Sequence, residues 1–217
     1  MGIWGGRPQD YNSLRDQVSQ AAAKINDYVQ LGGEINPSLL ELKHLKSLNL
    51  SLNDFNGTSI PEFIGSLKSL QYLNLSNAGF GGKLPNQLDN LSNLYYLSLS
   101  GLYMVPVEIG NLEWLSHLSH LEHLDLSHNS FQGPIPRGLR NLTMLTDLHL
   151  SFNWFNTTIP DWLNSFNHLK HLDLNENTFH GTISATIDNP RRSQASTSIE
   201  TTLKARYPIS SEIFTDW

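Results

Sequence analysis

Apolar positions along this chain keep returning in one frame. Leucine, or an apolar substitute, stands at the first, fourth, seventh and ninth places of a segment LxxLxxLxL, as in LKHLKSLNL from Leu42 to Leu50 and LSHLEHLDL from Leu118 to Leu126. Aligned on that frame, the chain divides into units running Leu42 to Ser66, Leu67 to Asn90, Leu91 to His117, Leu118 to Asn141, Leu142 to Ser165 and Phe166 to Asn189, preceded by a half unit from Leu31 to Glu41. Four of the six full units are 24 residues long. A unit this short cannot enclose its own apolar side, so copies must stack and share one core. The expected architecture is an α/β solenoid.

Within each unit the alternation around Ser47 to Ser51 predicts a short strand, its leucines turned inward and the residues between them outward. Stacked in register, these strands make a parallel sheet that forms the concave wall of an arc. An asparagine follows at Asn53, Asn129, Asn153 and Asn177, where a buried amide can satisfy backbone groups left unpaired by the turn. Ala78 and Leu102 interrupt that ladder. Phe55, Phe80, Phe131, Phe155 and Phe179, with Met104 in the odd unit, predict an apolar spine toward the convex side. Gly57, Gly82, Gly133 and Gly181 allow positive φ at the next turn, and Pro61, Pro85, Pro136 and Pro160 suit the extended return.

The pattern LxxLxxLxLSxNxFxGxIPxxIGx resembles the plant-specific class of leucine-rich repeats. The run LGGEINPSLLELKHLKSLNLSLNDFNGTSIPEFIGSLKSLQYLNLS is similar to the first repeats of plant receptor-like proteins, in the branch that includes fungal-xylanase receptors and Cf-type resistance proteins. The resemblance spans about Leu31 to Asn189. It implies a recognition protein in defence or developmental signalling, with a convex side of short 3-10 turns and loops and with a co-receptor kinase as a further partner. The same repeats also build polygalacturonase-inhibiting proteins, so a secreted enzyme inhibitor stands as the alternative.

Outside the repeats the expected division is a segment 1–30, the repeats 31–189 and a tail 190–217. Leu14, Val18, Ala22, Ile25 and Val29 fall at helical spacing after Ser13 and before Gly32-Gly33, which predicts an amphipathic N-terminal capping helix. In the tail, Arg191 to Ser198 reads as a linker. Ile199, Leu203, Tyr207, Ile209, Ile213, Phe214 and Trp217 are available to fold back over the last repeat and cover its sheet edge. The cysteine-paired caps and the membrane anchor of the resembling family have no counterpart in this sequence, which reads as a truncated or rearranged relative.

Composition changes the picture in three places. A net charge of -6 argues against nucleic acid. No run approaches the roughly 20 apolar residues of a membrane span. The absence of cysteine excludes disulfides and thiol chemistry, and fits a reducing cytoplasmic compartment as well as an extracellular one. Sequons occur at Asn49, Asn56, Asn74, Asn90, Asn141 and Asn156, and their density fits a secreted, apoplastic lineage. Asn49 and Asn74 belong to the strand face, so Asn56, Asn141 and Asn156 are the glycosylation candidates.

Candidate binding residues are the outward ones on successive strands. Tyr72, Tyr95 and Tyr96 make one end of the wall tyrosine-rich, and His123, Asp125, Asp147, His149, Phe152, His171 and Asp173 make the other rich in histidine and aspartate. Tyrosine and exposed phenylalanine bury large area at small entropic cost, which favours a protein or peptide ligand. The His/Asp half has spacing at which two imidazoles and a carboxylate could share a metal ion or protons. Asp125 and Asp173, however, follow from the ordinary LDLS consensus, and an open face supplies neither convergence nor a supporting shell, so the histidines read as surface residues and no metal or cofactor is expected. Their protonation near pH 6 would change the charge of the patch and tune partner binding. A metal-assisted hydrolase is a remote further reading, since no G-x-S-x-G, H-E-x-x-H or phosphate-cradling loop is present. Oligomeric state is left open by the sequence.

Overall fold

In the computed structural model, residues 32–102, 112–180 and 200–202 are described, all within one structural unit, Gly32–Trp217. The predicted capping helix and Met104 lie outside these residues, as does Gly181. The repeats fold as anticipated. Strands β1 (Ser47–Asn49), β2 (Tyr72–Asn74), β3 (Tyr96–Ser98), β4 (His123–Asp125), β6 (Asp147–His149), β8 (His171–Asp173) and β9 (Glu200–Thr202) form one parallel sheet in chain order. A second, two-stranded sheet pairs β5 (Gln132–Gly133) with β7 (Trp154–Phe155) behind the first turn. The extra length of the third repeat falls between Leu102 and Leu118, so β3 and β4 still pair in register. β9 pairs with β8 and extends the sheet into the chain beyond the repeat frame.

Strands β1, β2, β3, β4, β6 and β8 are three residues long, each placing one buried leucine between two residues of the wall. Leu73, Leu97, Leu124 and Leu148 have no exposed surface. On the opposite side each unit closes a single 3-10 turn, at Pro37–Glu41, Glu62–Ser66, Asn86–Asn90, Leu112–His117, Arg137–Asn141 and Asp161–Ser165, four of them directly after Pro61, Pro85, Pro136 and Pro160. Neighbouring turns approach closely: a Cβ on Gly65 would stand 2.0 Å from the Gln87 carbonyl oxygen, so that approach requires glycine.

The asparagine ladder does what the sequence implied. Asn153, fully buried, donates from Nδ2 to the carbonyls of Leu126, Leu150 and Ser151 and accepts from the Phe131 N–H. Asn129 and Asn177 repeat the arrangement. Where Ala78 replaces asparagine, the Phe55 N–H donates instead to the Ala78 carbonyl at 2.9 Å, so the backbone substitutes for the missing amide. The phenylalanines form the expected spine, with Phe55 on Phe80 at 4.3 Å and Phe155 within 6.3 Å of Phe131 and 6.1 Å of Phe179.

A periodic feature of the backbone is absent from the sequence pattern. The third residue after each strand of the first six repeats takes positive φ, whether or not it is glycine: Leu52, Asn77, Gly101, His128, Phe152 and Glu176, at 50° to 64°. Each of the first five donates its N–H to the carbonyl two residues past the paired strand of the next repeat, for example His128 to Ser151 at 2.9 Å and Phe152 to Asn175 at 2.9 Å. That interlock holds residues with side chains in a conformation they otherwise avoid.

Candidate functional site

The concave face is built by the outward residues of the strands, and strand register decides which of them meet. The first outward position gives the row Ser47, Tyr72, Tyr96, His123, Asp147, His171, and the third gives Asn49, Asn74, Ser98, Asp125, His149, Asp173. Parallel strands place such neighbours about 4.8 Å apart, close to the thickness of stacked rings. Tyr72 and Tyr96 stack at 4.2 Å and 15°, Tyr96 and His123 at 4.4 Å and 3°, and His123 meets His149 at 5.4 Å in a tilted contact. Four side chains from four adjacent strands thus form one half-buried aromatic ribbon. Tyr95, just ahead of β3, is exposed beside it.

From His123 onward the two rows alternate histidine with aspartate. His123, Asp147 and His171 are ladder partners in one row, and Asp125, His149 and Asp173 in the other, so each histidine lies next to aspartate along its row and the order is inverted between rows. Asp147 has His123 Nδ1 at 3.9 Å and His171 Nε2 at 3.8 Å on its two sides and accepts from the Thr146 hydroxyl. Burial acts to raise its pKa. The approach of the His123 imidazole, the hydrogen bond from Thr146 and the electrostatic influence of His123 and His171 outweigh burial and hold the carboxyl below its ordinary value.

Asp125 and Asp173 have local work. Asp125 accepts from the backbone N–H and hydroxyl of Ser127, at 3.0 and 2.6 Å, and Asp173 from the Asn175 N–H at 3.1 Å. Asn49 and Asn74 make the same turn with Ser51 and Ser76. The consensus reading of these two aspartates therefore describes their geometry, and Asp125 accepts in addition from the Ser98 hydroxyl through its second oxygen, at 3.3 Å. Phe152 stands at the rim on its positive-φ residue, 40% exposed, and stacks on His128 at 4.2 Å. His128 holds the same turn position one repeat earlier, which is why the two rings meet. Of the sequons, Asn49, Asn56, Asn90, Asn141 and Asn156 are exposed and Asn74 is half-buried, and Asn49 and Asn74 are tied into the turns of the wall.

A family model described as a leucine-rich repeat region matches residues 25–206. The chain is a leucine-rich-repeat protein. Its repeats are of the plant receptor-like kind. Receptor-like protein EIX1 of Solanum lycopersicum is 50% identical over 103 residues, covering 48% of this chain, and the chain spans only 10% of that relative's length. Among solved structures, the Arabidopsis receptor kinase HAESA in complex with the peptide hormone IDA and the co-receptor SERK1 superposes with a TM-score of 0.64 at 33% identity, over 71% of this chain and 25% of that one. The plant peptide hormone receptor RGFR1 in complex with RGF2 gives 0.65 at 27% identity, over 80% and 27%. This leucine-rich-repeat chain thus corresponds in extent to a part of its relatives. Among the described residues no helix is long and apolar enough to cross a membrane.

Proposed function

We propose that this repeat segment is a recognition module that binds an extended peptide or a protein segment along its concave face, in the extracellular part of a plant signalling system. The aromatic ribbon from Tyr72 to His149 carries the reading. Five strands from β2 to β8 span about 19 Å, enough for about six residues of extended chain at roughly 3.3 Å each. Tyr72, Tyr95 and Tyr96 suit aromatic, proline or aliphatic side chains, whose burial between rings needs little ordering of the receptor. Asp125, Asp147, His149, His171 and Asp173 suit side chains with hydrogen-bond donors. Phe152 on His128 closes one rim.

The peptide-hormone complexes of HAESA and RGFR1 support a ligand of this class, and a co-receptor kinase is a natural second partner. Glycans on Asn56, Asn141 and Asn156 would leave the wall open, consistent with an apoplastic location. A role as a binding module accords with the open face, which excludes little water from a reaction. The test is capture of partners from plant apoplastic extract by the wild-type protein and by a variant with Tyr72, Tyr96, His149 and Phe152 changed to alanine. The variant is expected to lose the wild type's partners. Retention of all of them would move the functional face elsewhere.

A further inference from the structure

The His/Asp end of the wall brings together something that neither the family nor peptide recognition requires. One ligand-type atom each of His123, Asp147 and His149 lies within 4.8 Å of the others, and all three residues are half-buried. We propose that these three side chains form a binding site for a late first-row divalent cation of the zinc class, with one coordination position open to the groove.

The donor set selects the ion. Two imidazole nitrogens and one carboxylate suit zinc and its neighbours and are poor partners for magnesium or calcium, which prefer oxygen. Three protein ligands with a vacant fourth position is the arrangement of zinc sites that accept an exogenous ligand. Tetrahedral zinc with bonds of about 2.0–2.1 Å places its ligand atoms roughly 3.3–3.4 Å apart. Side-chain adjustment at Asp147 and His149 would therefore close the present separation, with His123 kept on Tyr96 and the strands unmoved.

An open, flat face was the reason to set a metal aside, since coordination needs convergence and support. The structure supplies both. His123 is held parallel to Tyr96, at 3° and 4.4 Å, which fixes its ring plane. Asp147 is oriented by the Thr146 hydroxyl, whose single proton is shared between the carboxylate and the Glu122 carbonyl at 3.0 Å. His149 lies between Asp125 and Asp173 in the register of its row, and those carboxylates are anchored by Ser127 and Asn175. An outer carboxylate that accepts the second ring N–H of an imidazole ligand raises its basicity, and Asp125 and Asp173 are the ladder neighbours placed for that role. His171, 3.8 Å from Asp147 on its other side, can take over hydrogen bonding to the carboxylate oxygen that the ion leaves.

Isothermal titration of the whole chain with zinc chloride, in the absence of any partner, tests the site. One equivalent should bind saturably, magnesium chloride should not compete, and His149→Ala and Asp147→Asn should each weaken binding at least tenfold. His44→Ala, an exposed histidine in the first repeat, should bind as the wild type does. Circular dichroism spectra matching the wild type would establish that the variants are folded. Absence of saturable binding, or binding unaltered by both wall substitutions, would overturn the proposal. Because the titration contains no peptide, its failure leaves the recognition reading untouched, and failure of partner capture leaves the cation site untouched.

Discussion

Asp147 is the residue on which the polar half of the wall turns, and the direction of its pKa shift makes a pH prediction. Its carboxyl is held below the ordinary 3.8 in the folded chain. A depressed folded pKa adds stability that is fully present above the ordinary value and is lost as pH falls through the folded value. Wild type should therefore lose more stability than Asp147→Asn between about pH 5 and about pH 2, as read by urea midpoints; parallel curves would show that the shift has no energetic consequence. Asn153 makes a second prediction at this scale. Its amide serves three carbonyls and one N–H in a site with no exposed surface, so Asn153→Ala leaves buried groups unpaired and should cost about 3 kcal/mol in urea denaturation. Asparagine at that position was legible from the turn it follows. The backbone bond by which Ala78 manages without it was not, because only the position of the neighbouring repeat puts the Ala78 carbonyl opposite Phe55.

At the scale of the element, the turn after each strand stores strain. Leu52 has φ of 60° and is 49% exposed, so it contributes little packing in return. Leu52→Asn should raise stability by about 1 kcal/mol, since asparagine tolerates the left-handed region at small cost. Gly101→Ala should do the opposite, because the same conformation at φ 64° would bring its Cβ to 2.1 Å from the Asn77 Oδ1. A paired measurement of thermal midpoints checks both, and equal shifts in one direction would contradict the account. Sequence reading found the glycines at 57, 82 and 133 and their positive φ, since glycine is the usual occupant of such turns. It missed the second left-handed position, because leucine, histidine, phenylalanine and glutamate carry no signal for it.

For the whole solenoid unit, stability is a sum of repeat and neighbour terms, and central repeats have neighbours on both sides. Leu97, Leu124 and Leu148 are fully buried, whereas Leu48 in β1 keeps 8% of its surface. Amide hydrogen exchange should accordingly be slowest around β3, β4 and β6 and faster at β1. Uniform protection would indicate a single all-or-none unit. The parallel pairing of β9 with β8 belongs to this scale too. The apolar tail residues expected to cover the last edge lie outside the described residues, while Glu200–Thr202 adds one parallel strand beside β8.

By itself the sequence determined the solenoid. A leucine frame that returns every 24 residues or so can bury its apolar face only by stacking, and spacing alone assigns strand, asparagine ladder, phenylalanine spine and outward wall. Tertiary structure decided what the wall residues are to one another. The alternation HLD, DLH, HLD at 123, 147 and 171 is written in the chain, but ring stacking, the two histidines flanking Asp147 and the convergence of His123, Asp147 and His149 depend on side-chain rotation. Periodicity places Cβ atoms in rows, while chemistry depends on where the nitrogen and oxygen atoms at the ends of those side chains meet.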